Sequence, residues 1–590
     1  MAVVLVAVAL GGCDGGAGAR PTGASTTGVA SPPSATDAVA GGGDVAAAPG
    51  GTGAAAGGGS GTGSEARTTI APRVRDDAAL FAETFRPQFH FTPPYGWMND
   101  PNGMVFSKGA FHLFYQFNPY ATSFGNIGWG HAVGPDQVRW QPWPPALPAE
   151  PARQVFSGSI VIDERNTSGL CGSRAGANDP DCLVAVYTAN RARPGQSAVQ
   201  TQDLAVSTDG GRSWSQFDGN PVLDENRIDF RDPKVIWHGP TQRWIMLLAL
   251  PIERQVAFYA SGDLRSWRRI GEFGPTGATG GVWECPDLFS LPVDGDRNRW
   301  KWVLKVDLNP GHVAGGSGGQ YFVGEFDGTR FVPDPSAEPV RWLDGGRDFY
   351  CASHWYFLPG ALPDLTWIGW MNNWGYAGQV PTFPWRGTMT LPRKLALRST
   401  PAGMRLAQQP VDALAGLRGA GRRYGPAQAA ALTAAFAADH PAPDGLELRL
   451  RVRRAAVASG GDGVARAGLR LLAREGRRVA AVVTYDAARG ELRFERNAEG
   501  NARVNDAFPG AQVMPVPLAG ADQQLRIFVD RNAVEVFAGE GTAVMTHLVL
   551  PSGGLGGLEF FAEGAVEPLE LEAWPLGSIW SADAPLAGSP

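Results

Sequence analysis

The segments FHLFYQFNP (111–119), LVAVYTAN (183–190), RWIMLLAL (243–250), WKWVLKVDLN (300–309) and TWIGWMNNW (366–374) decide the fold. Each is a short run of aromatic and β-branched residues, the composition of a strand packed on both faces. A polar turn ending in a Trp follows the first three: GPDQVRWQPW (134–143), STDGGRSWSQF (207–217) and SGDLRSWRRI (261–270). A fourth turn, EFDGTRFVPD (325–334), has Phe331 in the Trp position. A third element precedes each strand: NDPNGMVF (99–106), FSGSIVID (156–163), FRDPKVIW (230–237), WECPDLFSL (283–291) and DFYCASHWYF (348–357). The set recurs five times at intervals of roughly 50 to 75 residues, longer than the usual propeller period. Sheets set radially about an axis satisfy such a repeat most simply. The expected architecture is therefore all-β, with a five-bladed β-propeller over residues 86–400.

Working outward, the blade pattern stops near residue 400. An Ala-rich stretch, AQAAALTAAFAA (427–438), reads as a short helix or a strand lead-in. After it come LELRLRVRR (446–454), VAAVVTYD (479–486), ELRFERN (491–497), QQLRIFVD (523–530) and AVEVFAGEG (533–541). Their period-two alternation predicts a C-terminal antiparallel β-sandwich over 410–580. Two domains also suit a chain of 590 residues, and 79 Gly with 47 Pro suit many tight turns. A net charge of -6 gives no concentrated basic surface for nucleic acid, so a neutral substrate fits better.

The N-terminus reads as an address. Residues 2–12, AVVLVAVALGG, are apolar but too short to span a bilayer, and small residues lead directly to Cys13. Leu10-Gly11-Gly12-Cys13 resembles the lipobox of bacterial lipoproteins, which implies a signal peptide over 1–13 and a lipid on Cys13. That lipid would be the sole membrane contact of an exported, envelope-associated protein. The basic n-region of a signal peptide is missing. Residues 14–75, rich in Gly, Ala, Ser and Thr, read as a disordered tether. Cys171 and Cys182 bracket the polar stretch GSRAGANDPD, which predicts a loop closed by a disulfide. Cys285 and Cys351 sit among apolar residues and read as small buried hydrophobes. No Cys/His spacing suggests zinc.

In a propeller the innermost strand of each blade lines the central channel, so the third elements should converge on one funnel. At a common offset they present Asn99 and Asp100, Phe156 and Ser157, Arg231 and Asp232, Glu284, and Asp348. Glycoside cleavage needs two carboxyl groups in different environments. Glu284, between Trp283 and Cys285, is expected to be buried and to hold a proton near neutral pH. Asp100, in a polar turn, is expected to stay ionised as a nucleophile, and Asp232 to stay charged beside Arg231. Trp129, with Gly on both sides, should keep an accessible ring face, whereas Trp140, Trp214 and Trp267 are assigned to packing.

Trp97-Met98-Asn99-Asp100-Pro101-Asn102-Gly103, Phe230-Arg231-Asp232-Pro233 and Trp283-Glu284-Cys285-Pro286 resemble the three signature motifs of glycoside hydrolase family 32. That family comprises invertases, inulinases, levanases and fructan exohydrolases. GWGHAV (128–133), FSGS (156–159), GTMTLPRKL (387–395) and, more weakly, LRIFVDRNAVEVFAGEG (525–541) extend the likeness. The resemblance implies Asp100 as nucleophile, Asp232 as transition-state stabiliser and Glu284 as acid/base. It implies Asn99, Gln116, Trp129, Ser157 and Arg231 as ligands of a fructosyl unit, with Trp97 and Trp374 as aromatic walls. Asp348 would lie beside the acid/base and help to set its pKa. A retaining mechanism without metal or organic cofactor follows, with nucleophile and acid about 5–5.5 Å apart. The implied substrate is a fructan or sucrose. The rival readings are a fructosyltransferase with the same triad, and a silent sugar-binding surface protein, which the three intact carboxylates disfavour. Two insertions, AGGSGGQYF (314–322) and CGSRAGANDPDC (171–182), depart from the pattern at the rim.

Overall fold

The computed structural model describes residues 80–172, 182–357, 364–441, 444–455, 463–518 and 520–580. The expectations for Cys13, the signal peptide and the 14–75 tether lie outside the described residues.

Five strands, Gly96–Ser107, Arg153–Ile162, Arg231–His238, Val282–Val293 and Tyr350–His354, each pair antiparallel with the aromatic strand that follows. Each packs against the next, and the fifth against the first, so they close a ring around one axis. Several of them bury apolar side chains toward their C-terminal ends, as at Ile160, Val161 and Ile162 or Leu288 and Phe289. The first sheet is completed from far along the chain, by Trp385–Arg386 running parallel to Gly96 and Trp97. The fourth and fifth groups of strands merge into one eight-stranded sheet, touching where Val293 meets Leu397. The last propeller strand, Gly403–Pro410, is antiparallel to Arg393–Thr400.

The Trp-bearing turns have a local cause. Asp209 accepts the N–H groups of Arg212 and Ser213 at 3.0 Å each, and Asp263 accepts those of Arg265 and Ser266 at 3.0 and 2.8 Å. These side chain-to-backbone bonds fix the turn. The Trp that follows then folds back, Trp214 donating to the Gly211 carbonyl and Trp267 to that of Leu264.

The sandwich consists of a six-stranded and a five-stranded sheet around one apolar core. The Ala-rich stretch forms a helix, Ala429–Asp439, that buries Leu432 and Phe436, four residues apart on one face.

Between propeller and sandwich lies a buried polar network. Arg393 binds Asp344 at 3.1 Å and Glu535 at 2.7 Å, and His90 faces Asp530 at 2.8 Å and Glu535 at 3.3 Å. Burial alone would lower the pKa of His90, but Asp530 and Glu535 outweigh it and raise it to about 9. The stability that protonated His90 contributes is therefore complete below pH 6.5 and is lost as pH rises through about 9. Urea unfolding followed between pH 6 and 9.5 should show this fall, and His90→Gln should flatten it. An equally steep fall in the variant would remove His90 from the account.

Candidate active site

All five inner strands carry the same irregularity. Between Met98 and Pro101, Val155 and Gly158, Arg231 and Lys234, Glu284 and Asp287, and Tyr350 and Ser353, the inner strand has one more residue than its partner. A bulge re-aims the side chains around it. Asp232, Cys285 and Cys351, first in three of these bulges, have φ of 63°, 48° and 51°, in the left-handed region. The bulges turn Asp100, Asp232 and Glu284 toward one another at one end of the ring.

Asp100 is 7% exposed. Its Oδ2 accepts a bond from Gln116 Nε2 at 3.2 Å, while its Oδ1 has no protein partner. Gln116 also donates to Ser157 Oγ. Asp232 Oδ2 accepts the backbone N–H of Cys285 at 2.9 Å, and its own N–H donates to Thr188 Oγ1 at 3.1 Å. Glu284 takes Arg231 Nε on Oε1 at 3.0 Å and the Tyr350 hydroxyl on Oε2. Arg231 is shared with Asp229 at 2.6 Å. Asn99 accepts the indole N–H of Trp97 at 2.9 Å.

The three carboxyls feel one another. Burial, then the charges of Glu284 and Asp232, raise Asp100 well above the usual carboxylate range. Burial raises Asp232 to about 6 against the opposing pull of Arg231. Asp307, behind them beside Lys305, is likewise raised by burial to about 6. Asp100 is thus not the free carboxylate that its turn sequence suggests, because that turn lies in the ring and not in water. Crowded, desolvated carboxyls retain a proton at a pH where separate ones have lost it, and that proton belongs to the cluster. A protonated carboxyl beside an ionised one is the requirement of glycoside cleavage.

The structure corrects several residue assignments. Trp129 is fully buried against Phe114 and Tyr187 and donates to the Phe156 carbonyl, so it supports the site from behind. Its flanking glycines serve close packing, since a Cβ at Gly130 would strike the Tyr115 ring and one at Gly128 the Leu147 carbonyl. Asp348 is fully buried and faces the sandwich. It accepts from Arg496 Nη1 and the Leu548 N–H at 2.9 Å each, and from the Tyr376 hydroxyl. The bulge register gives Tyr350, not Asp348, the place in the fifth inner strand that Glu284 has in the fourth, and its hydroxyl binds Glu284. Trp97 is 1% exposed, its ring covered by Trp374, Trp370 and Phe124. Partly buried Trp374 and Phe156 with exposed Phe124 form the accessible aromatic wall. Cys171 and Cys182 are disulfide-bonded. Cys285 and Cys351 are not separate hydrophobes but a second disulfide, with Cα atoms 5.4 Å apart. Sequence reasoning missed Tyr350, Phe124 and this bond. Tyr350 was detectable in principle, since it occupies the position before its bulge that Glu284 occupies before its own.

Paired carboxyls in different hydrogen-bond environments beside an aromatic wall are the equipment of a glycoside hydrolase. Residues 90–410 match the family 32 N-terminal domain of glycosyl hydrolases and residues 421–575 the family 32 C-terminal domain, so the chain belongs to glycosyl hydrolase family 32. It is 41% identical to a levanase of Bacillus subtilis over 513 residues, covering 85% of this chain and 72% of that protein. Among solved structures, an exo-inulinase from Aspergillus awamori superposes with a TM-score of 0.75 at 33% identity, covering 85% of this chain and 100% of the other. A β-fructofuranosidase from Schwanniomyces occidentalis, complexed with fructosyl-erythritol, gives 0.75 at 29% identity with the same two coverages.

A raised carboxyl pKa means that the folded state holds a proton the unfolded chain has released. Asp100 therefore costs stability progressively as pH climbs above the ordinary carboxyl range. Asp100→Asn should melt higher than the parent at pH 7, with the gain vanishing near pH 3, in calorimetric scans. An equal or lower melting temperature at pH 7 would contradict the crowding described here.

Proposed function

We propose that the protein is an exo-acting, retaining β-fructosidase that removes terminal non-reducing β-D-fructofuranosyl units from fructans and from sucrose. The carrying observation is the convergence of Asp100, Asp232 and Glu284 from three separate strands, with Arg231 between Asp229 and Glu284. Asp100, with one oxygen unpartnered, attacks the anomeric carbon. Glu284 protonates the leaving oxygen and then deprotonates the incoming water. Asp232, held by the Cys285 N–H, accepts sugar hydroxyls and stabilises the oxocarbenium-like transition state. Asn99, Gln116, Ser157 and Arg231 hold the fructosyl unit, and Trp374, Phe156 and Phe124 flank it.

The relatives' names, levanase, exo-inulinase and β-fructofuranosidase, support this substrate class, and the name of one, an extracellular exo-inulinase, supports action outside the cell. Export with a lipid on Cys13 would keep the enzyme at the envelope, where polymer is met. A fructosyltransferase would use the same groups and differ only in taking a sugar in place of water.

Incubation with levan, inulin and sucrose tests the reading. Free fructose as the sole early product is expected, and early oligosaccharides would overturn exo action. Asp100→Ala and Glu284→Ala should each lower kcat by about 10²–10⁴-fold or more without loss of fold. Turnover at the parent rate in either would refute its role.

A further inference from the structure

The Cys285–Cys351 disulfide lies in an apolar cluster with Trp97, Tyr350 and Trp370, directly beside the carboxyls. Cys285 follows Glu284 in the chain, and Cys351 follows Tyr350, whose hydroxyl binds Glu284. The bond therefore joins the strand carrying one carboxyl to the strand carrying that carboxyl's hydrogen-bond donor. The backbone N–H of Cys285 holds Asp232 at 2.9 Å, and that of Cys351 bonds to Asp307. Both sulfurs and an Asp100 oxygen lie within 4.8 Å of one another. A cavity of about 20 Å³ beside them is lined by Asp232, Cys285, Cys351, Asn102 and Ser157.

Apart from the disulfide, side chains tie these two strands together here: Tyr350 binds Glu284, and the N–H and Nδ1 of His354 meet Asp287 Oδ2 at 3.0 and 2.9 Å. Val282–Val293 and Tyr350–His354 are not neighbours in their sheet, so no backbone ladder connects them directly. Both are interrupted by their bulges at this point, and both cysteines stand at positive φ. Such backbone persists only where its surroundings over-determine it. A covalent cross-link with an ordinary Cα separation supplies that constraint.

We propose that Cys285–Cys351 is a positioning cross-link that fixes Glu284 and Asp232 for reaction, so that the enzyme is fully active only when this pair is oxidised. Opening it takes two electrons and two protons from a dithiol reductant, which itself closes to a cyclic disulfide and leaves two protein thiols. An enzyme of this design would gain its activity in an oxidising compartment. The proposal rests on the roles assigned above to the carboxyls.

The test compares the parent enzyme, Cys285→Ala/Cys351→Ala and Cys171→Ala/Cys182→Ala as kcat, KM and the pH profile of kcat/KM on sucrose. For Cys285→Ala/Cys351→Ala a kcat about tenfold lower or more is expected, as misplaced catalytic groups produce. KM should change by less than about threefold, and a limb of the pH profile should move. Cys171→Ala/Cys182→Ala should match the parent. Alanine removes the cross-link with only two sulfur atoms of packing, so a merely packed pair would leave kcat and the profile intact, and that result overturns the proposal. Should the variant fail to fold by near-ultraviolet circular dichroism, reduction of the folded parent with dithiothreitol, monitored by thiol titration, decides. Reversible loss of activity supports the proposal, and full activity with both disulfides open refutes it. Unimpaired Asp100→Ala would instead sink the underlying reading, which separates the two failures.

Discussion

The mutual repulsion of carboxyl groups drawn out of water into one hollow is the constraint on which the rest of this structure depends. Burial and neighbouring charge disfavour the ionised form of a carboxyl, and the folded state bears that cost. Asp100 and Asp232 are both raised in this way. A loose scaffold would relieve that cost by letting the groups part or take up water. Here Arg231, Gln116, Tyr350 and the Cys285 N–H each hold a carboxyl in place without removing the crowding. Carboxyls raised in this way keep a proton to higher pH than free ones, at the cost of some stability.

A ring of strands resists that relief because its inner members have nowhere to move. Each of the five inner strands carries its bulge in the same relation to its partner, and each is flanked by an aromatic strand. The sandwich adds a brace from outside. Arg496 reaches from it to Asp348, two residues before Tyr350, and Arg393, Asp344 and Glu535 tie the same propeller edge to it. The sandwich thereby braces the segment that leads into the strand touching Glu284.

Much of this was legible in the sequence, for a physical reason. Strand composition, Asx-fixed turns and a recurring Trp are local signals, and their repetition reports the radial architecture. The three carboxyls were legible because each sits in a motif with its own neighbours. What escaped depends on register and on distant partners. The extra residue in a bulge leaves no mark in composition, so aligning carboxyls by offset selected Asp348 over Tyr350. Glycines beside Trp129 suggested open space, yet they permit close approach of Tyr115 and Leu147, which only the folded packing reveals. Cys285 and Cys351 are 66 residues apart, and nothing local distinguishes a buried thiol from half of a disulfide.

The claim that these carboxyls divide the work between attack and proton transfer is tested most directly by trapping the covalent state. Glu284→Gln, which attacks but cannot assist release, would be incubated with an activated aryl β-fructofuranoside, quenched in acid and mapped by peptide mass spectrometry. The account predicts one anhydrohexose ester-linked to Asp100. An adduct on Asp232, or aryl release with every carboxyl unmodified, would contradict it.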